Sequence, residues 1–340
     1  MSLRAPLIDG FGRRLSYVRL SVTDRCDLRC TYCMSEHQAF LPRKDLLSFE
    51  EMERLSLFLI DSGVERLRIT GGEPLVRKGV LDFITRLGEQ VHNGRLKELT
   101  LTTNGTLLAG AAPVLAAAGI QRINVSCDSL KPDVYYRITR GGDLNKVLAG
   151  IEAAQAEGIR IKLNVVALAQ DNRAEIPDII RFAHARDIDV SLIETMPLGD
   201  EISGREAQFV SLKEVLSDLR SFWRIEGVSD TTGGPARYYR VEETGGKLGL
   251  ITPLSHNFCD TCNRVRITCT GQLYMCLGQD DHVDLRAPLR EDTTDAGLRK
   301  ALANALAHKP EAHDFFIAGV GLASPRHSHA PSRTMSLTGG

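Results

Sequence analysis

The sequence lacks the features of a membrane, secreted or nucleic-acid-binding protein. No apolar run reaches the roughly 20 residues that a bilayer-spanning helix needs, and the segment from Met1 to Phe11 lacks the apolar stretch of a secretory signal. The 42 Lys and Arg residues balance 43 Asp and Glu residues, so the overall charge favours neither a nucleic acid nor an anionic membrane as a partner. We therefore expect a cytoplasmic protein with neither partner, and its oligomeric state, monomer or homodimer, stays open.

Disulfide bonds are also not expected, although the chain has eight cysteines. The cytosol keeps thiols reduced, and clustered cysteines in a cytosolic chain more often bind metal. Three cysteines lie between Cys26 and Cys33 and four between Cys259 and Cys276, which leaves Cys127 alone as a small buried apolar residue. The sequence therefore predicts two metal sites.

Short β-branched runs alternate with helical stretches over most of the chain, which is typical of an α/β fold with a parallel sheet. We predict six strands: Val18 to Val22, Arg66 to Thr70, Glu98 to Thr103, Arg122 to Ser126, Arg160 to Val166 and Val190 to Glu194. Ser48 and Glu51 have the pattern of a capping box at the start of a helix. After residue 220 shorter strands and Gly-rich turns replace the alternation. We therefore predict an α/β domain over residues 1–220 and a smaller α+β domain over residues 221–340.

Alternate residues of the predicted strands form one apolar face and one polar face, because successive side chains of a strand point to opposite sides of the sheet. The apolar set is Val18, Leu20, Val22, Leu67, Ile69, Leu99, Leu101, Ile123, Val125, Ile161, Leu163 and Val165. The polar set is Arg19, Ser21, Arg66, Arg68, Thr70, Thr100, Thr102, Arg122, Asn124, Ser126, Lys162 and Asn164. Several cations with few acids would be costly to leave unpaired, so we expect this face to line a wet chamber that binds a polyphosphate or a carboxylate. The alternative for any one cation is an exposed position at a strand end.

Cys26, Cys30 and Cys33 form a CxxxCxxC motif in the loop after the first strand, at the end where parallel sheets place their sites. Three thiolates can hold an iron-sulfur cubane and leave one of its irons open, whereas the alternative for the motif alone is a zinc site. The motif, with Tyr32 before its last cysteine, and the segment from Gly71 to Pro74 resemble the radical S-adenosylmethionine superfamily. The resemblance implies a partial (βα)6 TIM-like barrel with a [4Fe-4S] cluster and S-adenosylmethionine.

The second cysteine set has two interpretations. Cys259, Cys262 and Cys276 would hold a second open cluster, whereas the addition of Cys269 would make a closed four-thiolate zinc site, and the spacing does not choose between them. The segment from Asn257 to Arg266 resembles the GTP 3′,8-cyclase family, which opens molybdenum cofactor biosynthesis. The likeness covers nearly the whole chain and includes Ser16 to Cys33, Arg68 to Pro74, Thr102 to Gly105, Asn124 to Leu130, Ile193 to Gly199, Gly234 to Ala236, Asp284 to Arg286 and the terminal Gly-Gly.

This resemblance implies a lyase that converts GTP to (8S)-3′,8-cyclo-7,8-dihydroguanosine 5′-triphosphate, using two [4Fe-4S] clusters, S-adenosylmethionine and an external one-electron donor. By matching motif, the first cluster would be held by Cys26, Cys30 and Cys33, and the second, in the C-terminal domain, by Cys259, Cys262 and Cys276. The residues around S-adenosylmethionine would be Tyr32, Gly72, Ser126 and Met196. The residues around GTP would be Arg19, Arg68, Thr102, Lys162, Arg264, Val265 and Arg266.

The resemblance also implies three residues that act in catalysis, namely Arg266 as a proton donor, and Gly339 and Gly340 as a tail that reaches the active site. Disorder is the alternative for that tail. The next enzyme of the pathway, cyclic pyranopterin monophosphate synthase, is an expected partner. Two positions depart from the family pattern: Ser191 replaces an arginine that would contact phosphate, and Cys269 replaces a small residue.

Two other functions are compatible with clustered cysteines. The nearest is a radical S-adenosylmethionine peptide maturase, although such enzymes usually have more cysteines after the barrel than this chain has. The second is a zinc-binding structural or RNA-contacting protein, which predicts zinc instead of iron and a basic face that the balanced composition does not favour.

Overall fold

The structure, a computed structural model, describes residues 6–198, 205–229, 234–255, 258–291, 293–313, 315, 331 and 333–339. Its strands are β1 (Leu7–Ile8), β2 (Arg14–Leu15), β3 (Tyr17–Ser21), β4 (Arg66–Thr70), β5 (Glu98–Thr103), β6 (Arg122–Ser126), β7 (Arg160–Ala167), β8 (Asp189–Glu194), β9 (Ile225–Val228), β10 (Arg237–Val241), β11 (Lys247–Ile251), β12 (Arg264–Ile267), β13 (Gln272–Tyr274) and β14 (His282–Asp284). Its α-helices are α1 (Phe49–Asp61), α2 (Val80–His92), α3 (Leu108–Ala117), α4 (Pro132–Thr139), α5 (Leu144–Ala156), α6 (Ile176–His184), α7 (Arg205–Gln208), α8 (Leu212–Leu219), α9 (Arg286–Glu291), α10 (Ala296–Ala307) and α11 (Met335–Thr338).

The six predicted strands are β3 to β8, each within one residue of its predicted bounds. They lie side by side in chain order and pair in parallel. Helices α1 to α6 lie between them along the chain, as the alternating pattern predicted. The first part of the chain is therefore an α/β fold with a parallel sheet.

The apolar face of this sheet forms the core. Leu67, Ile69 and Leu101 are fully buried and belong to one large cluster with apolar residues of the helices. The predicted capping box is present at the start of α1, where Glu51 N donates to Ser48 Oγ at 3.2 Å and Ser48 N donates to Glu51 Oε2 at 2.7 Å. Helix position and sheet face therefore follow from the local pattern.

Three members of the predicted polar set, Ser21, Arg66 and Thr100, do not line the cavity described below. Arg66 stands at the start of β4, with about a third of its side chain exposed, and forms an ion pair with Glu98 at 3.5 Å. A strand end is open to solvent, so the alternative of an exposed position holds for this cation.

The C-terminal strands extend both edges of the same sheet. β12 pairs in parallel with β3, and β11 pairs in parallel with β8. β13 and β14 lie beyond β12, and β10 and β9 lie beyond β11, all in antiparallel pairs. The order in the sheet is therefore β14-β13-β12-β3-β4-β5-β6-β7-β8-β11-β10-β9. The expected second domain therefore builds on the barrel edges instead of a separate sheet, and the boundary at residue 220 stays a prediction. Nowhere in the described ranges is a helix both long and apolar enough to cross a bilayer.

Candidate active site

One cavity opens along the polar face of the sheet and has about 1890 Å³ of empty space, including the part open to solvent. All six cysteines predicted to bind clusters line it. The predicted S-adenosylmethionine residues Tyr32, Gly72, Ser126 and Met196 line it as well. So do the predicted GTP residues Arg19, Arg68, Thr102, Lys162, Arg264, Val265 and Arg266. Residues predicted to act together therefore come together, while their individual roles remain predictions.

The first cysteine set lies in the loop that follows β3, at the carboxyl ends of the parallel strands. Neighbouring strand ends hold this loop: Asn104, after β5, donates to Asp27 Oδ1 at 2.7 Å, and Thr106 Oγ1 donates to Asp27 Oδ2 at 2.6 Å. Tyr32 donates its hydroxyl to Asp128, after β6, at 2.7 Å. The loop is thus held by residues that directly follow two other strands, β5 and β6.

The segment from Gly71 to Pro74 follows β4 and packs closely against the cysteine loop. A Cβ on Gly71 would lie 2.7 Å from the carbonyl of Thr23, and one on Gly72 would overlap the backbone of Arg25. Glu73 is fully buried and accepts hydrogen bonds from the backbone of Leu75 and Asn104. Burial raises the pKa of this carboxyl to about 7 despite those bonds. Glycine is needed here because two backbone segments meet.

The second cysteine set lies at the other end of the cavity. Cys259 and Cys262 precede β12, and Arg264 of β12 is in register with Tyr17 at the start of β3. The loop of the first set follows the far end of β3, whose five residues span about 16 Å. The two sets are therefore separated by the length of the strand, with the polar face between them.

Cys269 does not belong to the second set in this structure. It is fully buried in the apolar core and does not line the cavity, whereas Cys276 lines it. A closed four-thiolate zinc site would need the sulfurs of Cys259, Cys262, Cys269 and Cys276 around one metal ion. The arrangement therefore favours three ligands.

Six cations line the cavity between the two cysteine sets: Arg19, Arg68, Arg122, Lys162, Arg264 and Arg266. None of the described lining residues is Asp or Glu. Arg122 is paired with Glu98 at 2.8 Å, outside the cavity lining. Such an excess of positive charge would be stabilised by a polyanion.

These cations affect one another. Burial, followed by repulsion from Arg68, lowers the pKa of Arg19 to about 10. Burial, followed by repulsion from Arg122 and Arg68, lowers the pKa of Lys162 to about 7. Burial raises the pKa of Tyr17, but the facing guanidinium groups more than offset this, and the net shift is downward. The cavity therefore destabilises its own positive charge until an anion binds.

Several buried polar atoms of the cavity wall have no hydrogen-bond partner among the described residues. They include Arg19 Nε, Arg264 Nε, Ser191 Oγ, Asn124 Oδ1 and Thr70 Oγ1. Buried polar atoms usually have a hydrogen-bond partner, which can be water, an ion or a ligand. Three thiols at each end are the number of ligands that an open cubane needs, and the cationic wall suits a polyanionic substrate.

The C-terminal segment reaches this wall. Arg266 Nη1 donates to the carbonyl oxygen of Gly339 and lies 3.5 Å from that of Thr338. Gly339 has a φ of 76°, and a Cβ there would overlap the side chain of Thr70. Gly340, the other residue of the predicted tail, lies outside the described residues. Gly339 therefore lies beside a cavity cation, in a conformation that favours glycine.

Other cavity residues were not predicted from the sequence. Tyr17 lies one position before the predicted first strand, in the same alternation as Arg19, so the period of two could have found it. Tyr238 accepts a hydrogen bond from Lys162 Nζ at 2.5 Å, and no local pattern indicates this contact. Val265 was predicted to bind substrate, yet its side chain packs in the apolar core, opposite Arg264 and Arg266. Any cavity contact of Val265 must therefore come from its backbone.

Comparison with known proteins agrees with this geometry. A family model described as the Radical SAM superfamily matches residues 20–183, and one described as Molybdenum Cofactor Synthesis C matches residues 188–315. The partial barrel with its cysteine loop thus defines a radical S-adenosylmethionine enzyme.

Two curated relatives are similar over almost their entire length. The GTP 3′,8-cyclase of Caulobacter vibrioides is 55% identical over 334 residues, which cover 98% of this chain and 94% of the relative. The GTP 3′,8-cyclase of Brucella ovis is 54% identical over 337 residues, which cover 98% of this chain and 96% of the relative. The chain belongs to the family of GTP 3′,8-cyclases.

A solved structure supports the fold independently. Streptococcus suis SuiB bound to S-adenosylmethionine superposes with a TM-score of 0.60 at 15% identity, covering 84% of this chain and 68% of that chain. At this identity the likeness concerns the fold alone.

Proposed function

We propose that this chain converts GTP to (8S)-3′,8-cyclo-7,8-dihydroguanosine 5′-triphosphate in the first step of molybdenum cofactor biosynthesis. The observation that carries the proposal is the cavity itself, with three cysteines at each end and a cationic wall between them. The family membership supports the same reaction.

Cys26, Cys30 and Cys33 would hold the first cluster, with Tyr32, Gly72, Ser126 and Met196 around S-adenosylmethionine. Gly72 lines the cavity and packs closely against the cysteine loop, where its N–H donates to the Thr23 carbonyl at 2.8 Å. When bound, the cluster and S-adenosylmethionine would supply the radical chemistry that abstraction of the 3′ hydrogen of the GTP ribose needs. The protein holds the reactants in line and keeps water away.

The triphosphate would be held by the cavity cations, Arg19, Arg68 and Lys162 among them, and the guanine end would lie by Cys259, Cys262 and Cys276. Arg68 is already oriented, because its Nε donates to Thr100 at 3.3 Å and its Nη1 to Thr102 at 3.4 Å. Ser191, which replaces the arginine of the family pattern, lines the cavity, and its buried hydroxyl has no hydrogen-bond partner among the described residues. An arginine at this position would extend further into the cavity. The remaining cations would therefore carry the phosphate contacts.

Arg266 is the candidate proton donor for the final reduction. Burial, and repulsion by Arg19 and Arg264, lower the pKa of its guanidinium group, which makes it a stronger acid than a free arginine. Each turnover would consume one S-adenosylmethionine, two electrons and one proton. The nucleotide loses one hydrogen atom to the adenosyl group and gains one electron and one proton, so the product is an isomer of GTP. The electrons would come from an external donor, and the product would pass to cyclic pyranopterin monophosphate synthase.

Anaerobic reconstitution tests the proposal. The reconstituted protein, S-adenosylmethionine, a reductant and GTP deuterated at C3′ should give 5′-deoxyadenosine that carries the deuterium, together with a new nucleotide that elutes apart from GTP. Stoichiometric zinc without acid-labile sulfide would support the structural zinc protein instead. Formation of 5′-deoxyadenosine without transfer of deuterium from GTP would favour another substrate, such as a peptide.

A further inference from the structure

Three cations contact the second cysteine set, and two of them are ion-paired, Arg13 with Asp9 at 2.6 Å and Arg333 with Asp280 at 2.5 Å. One cation contacts each of its cysteines, two of them through backbone carbonyl groups and one through the sulfur. The contacts are Arg13 Nη1 to the Cys259 carbonyl at 2.9 Å, Lys309 Nζ to Cys262 Sγ at 3.5 Å and Arg333 Nη2 to the Cys276 carbonyl at 3.2 Å.

Carboxyl groups, in contrast, lie beside the first set. Asp27 Oδ1 is 3.8 Å from Cys26 Sγ, and Asp128 holds the hydroxyl of Tyr32. Burial raises the pKa of Cys26, and the negative charges of Glu73 and Asp27 raise it further. Arg29 Nη1 also donates to the Cys26 carbonyl, at 2.6 Å. The two sets therefore differ at their sulfurs, because a carboxyl oxygen lies near Cys26 Sγ whereas an ammonium group lies near Cys262 Sγ.

Lys309 is the cation whose charged atom reaches a sulfur. It is 3% exposed, and its other contact is the carbonyl oxygen of Met275 at 3.1 Å. A buried ammonium group is costly unless an opposite charge lies nearby. The three thiolates of a bound cluster would supply that charge.

We propose that Lys309 is a positioning and charge-compensating residue of the second cluster, and that its hydrogen bond to Cys262 Sγ raises the reduction potential of this cluster above that of the first. Hydrogen bonds and positive charge at cluster sulfurs stabilise the more negative, reduced state. The carboxyl groups beside the first set act in the opposite direction. The inference rests on the proposed function only in that a cluster occupies the second set.

A redox titration followed by electron paramagnetic resonance tests this without GTP or turnover. It uses the full-length reconstituted enzyme, and the same chain with Cys26, Cys30 and Cys33 replaced by Ala, in which the signal comes from the second cluster alone. In Lys309→Met, the ratio of reduced to oxidised second cluster at a fixed potential should fall at least tenfold, a shift of 59 mV for one electron. Lys309→Arg should keep the ratio within about threefold.

Lys97→Met is the matched control, because Lys97 is exposed and pairs with Glu65 at 2.9 Å. The midpoint potential of the second cluster in this variant should equal that of the wild type. A Lys309→Met enzyme with full iron and sulfide and an unchanged midpoint would overturn the proposal and leave the proposed function intact. If Lys309→Met does not hold the cluster, Lys309→Arg and Lys309→Gln make the same comparison of charge, and equal midpoints would overturn it. Absence of a second cluster from the wild type would contradict the proposed function itself.

Discussion

The affinity for GTP should depend on the charge of Lys162. Burial, and repulsion by Arg122 and Arg68, lower the pKa of this side chain from 10.5 to about 7. The ammonium form is therefore destabilised by on the order of 5 kcal/mol, since one pKa unit corresponds to about 1.4 kcal/mol. Tyr238 is its hydrogen-bond partner but carries no full negative charge. A bound triphosphate would restore the charged form.

GTP affinity should fall as the pH rises, because binding is linked to protonation of Lys162. The protonated lysine binds the polyanion, so affinity is highest below the pKa of the free protein and falls as the pH rises through it. If GTP restores the pKa to about 9 or more, the dissociation constant should rise about tenfold between about pH 6 and pH 8. Lys162→Arg should lose this dependence, because guanidinium does not titrate in that range. Lys162→Met should bind GTP weakly at both pH values.

Anaerobic equilibrium dialysis of GTP without reductant measures this directly. The ratio of wild type to Lys162→Arg at each pH removes the titration of the GTP phosphates. Parallel pH profiles for these two proteins would refute the reasoning, and so would wild-type affinity in Lys162→Met.

Two further predictions concern the tail and the cysteines. Gly339→Ala should strain a positive φ by about 1–3 kcal/mol and collide with Thr70, so turnover should fall while iron content stays unchanged; Gly94→Ala, at a φ of 74° in open space, is the control and should retain activity. Cys276→Ala should lose about half of the bound iron, whereas Cys269→Ala should keep all of it and lose about 1 kcal/mol of stability, as iron analysis and thermal unfolding would show. Loss of iron from Cys269→Ala would mean that this thiol is a ligand after all.

Local pattern was sufficient for much of the fold and site. The strands β3 to β8 and the capping box at Ser48 were predictable because backbone hydrogen bonding and side-chain alternation act over a few residues. Four of the six cavity cations, Arg19, Arg68, Arg122 and Lys162, were predictable for the same reason, whereas Arg264 and Arg266 were expected only from the family resemblance. Among the cations of the predicted polar face, Arg66 was the exception because its strand end is open to solvent. Lys309 was not predictable, since its contact with Cys262 joins residues that are 47 positions apart.

By itself, the sequence determined which side chains share a face of each strand and that Cys26, Cys30 and Cys33 stand in one short loop, since both are properties of short stretches of backbone. Only the tertiary structure decided that β11 and β12 attach to opposite edges of the barrel sheet, and that the second cysteine set therefore faces the first across the cationic wall. Strand pairing between distant segments depends on which hydrogen-bonding edges and apolar surfaces are free once the barrel has formed, and no local period encodes that choice.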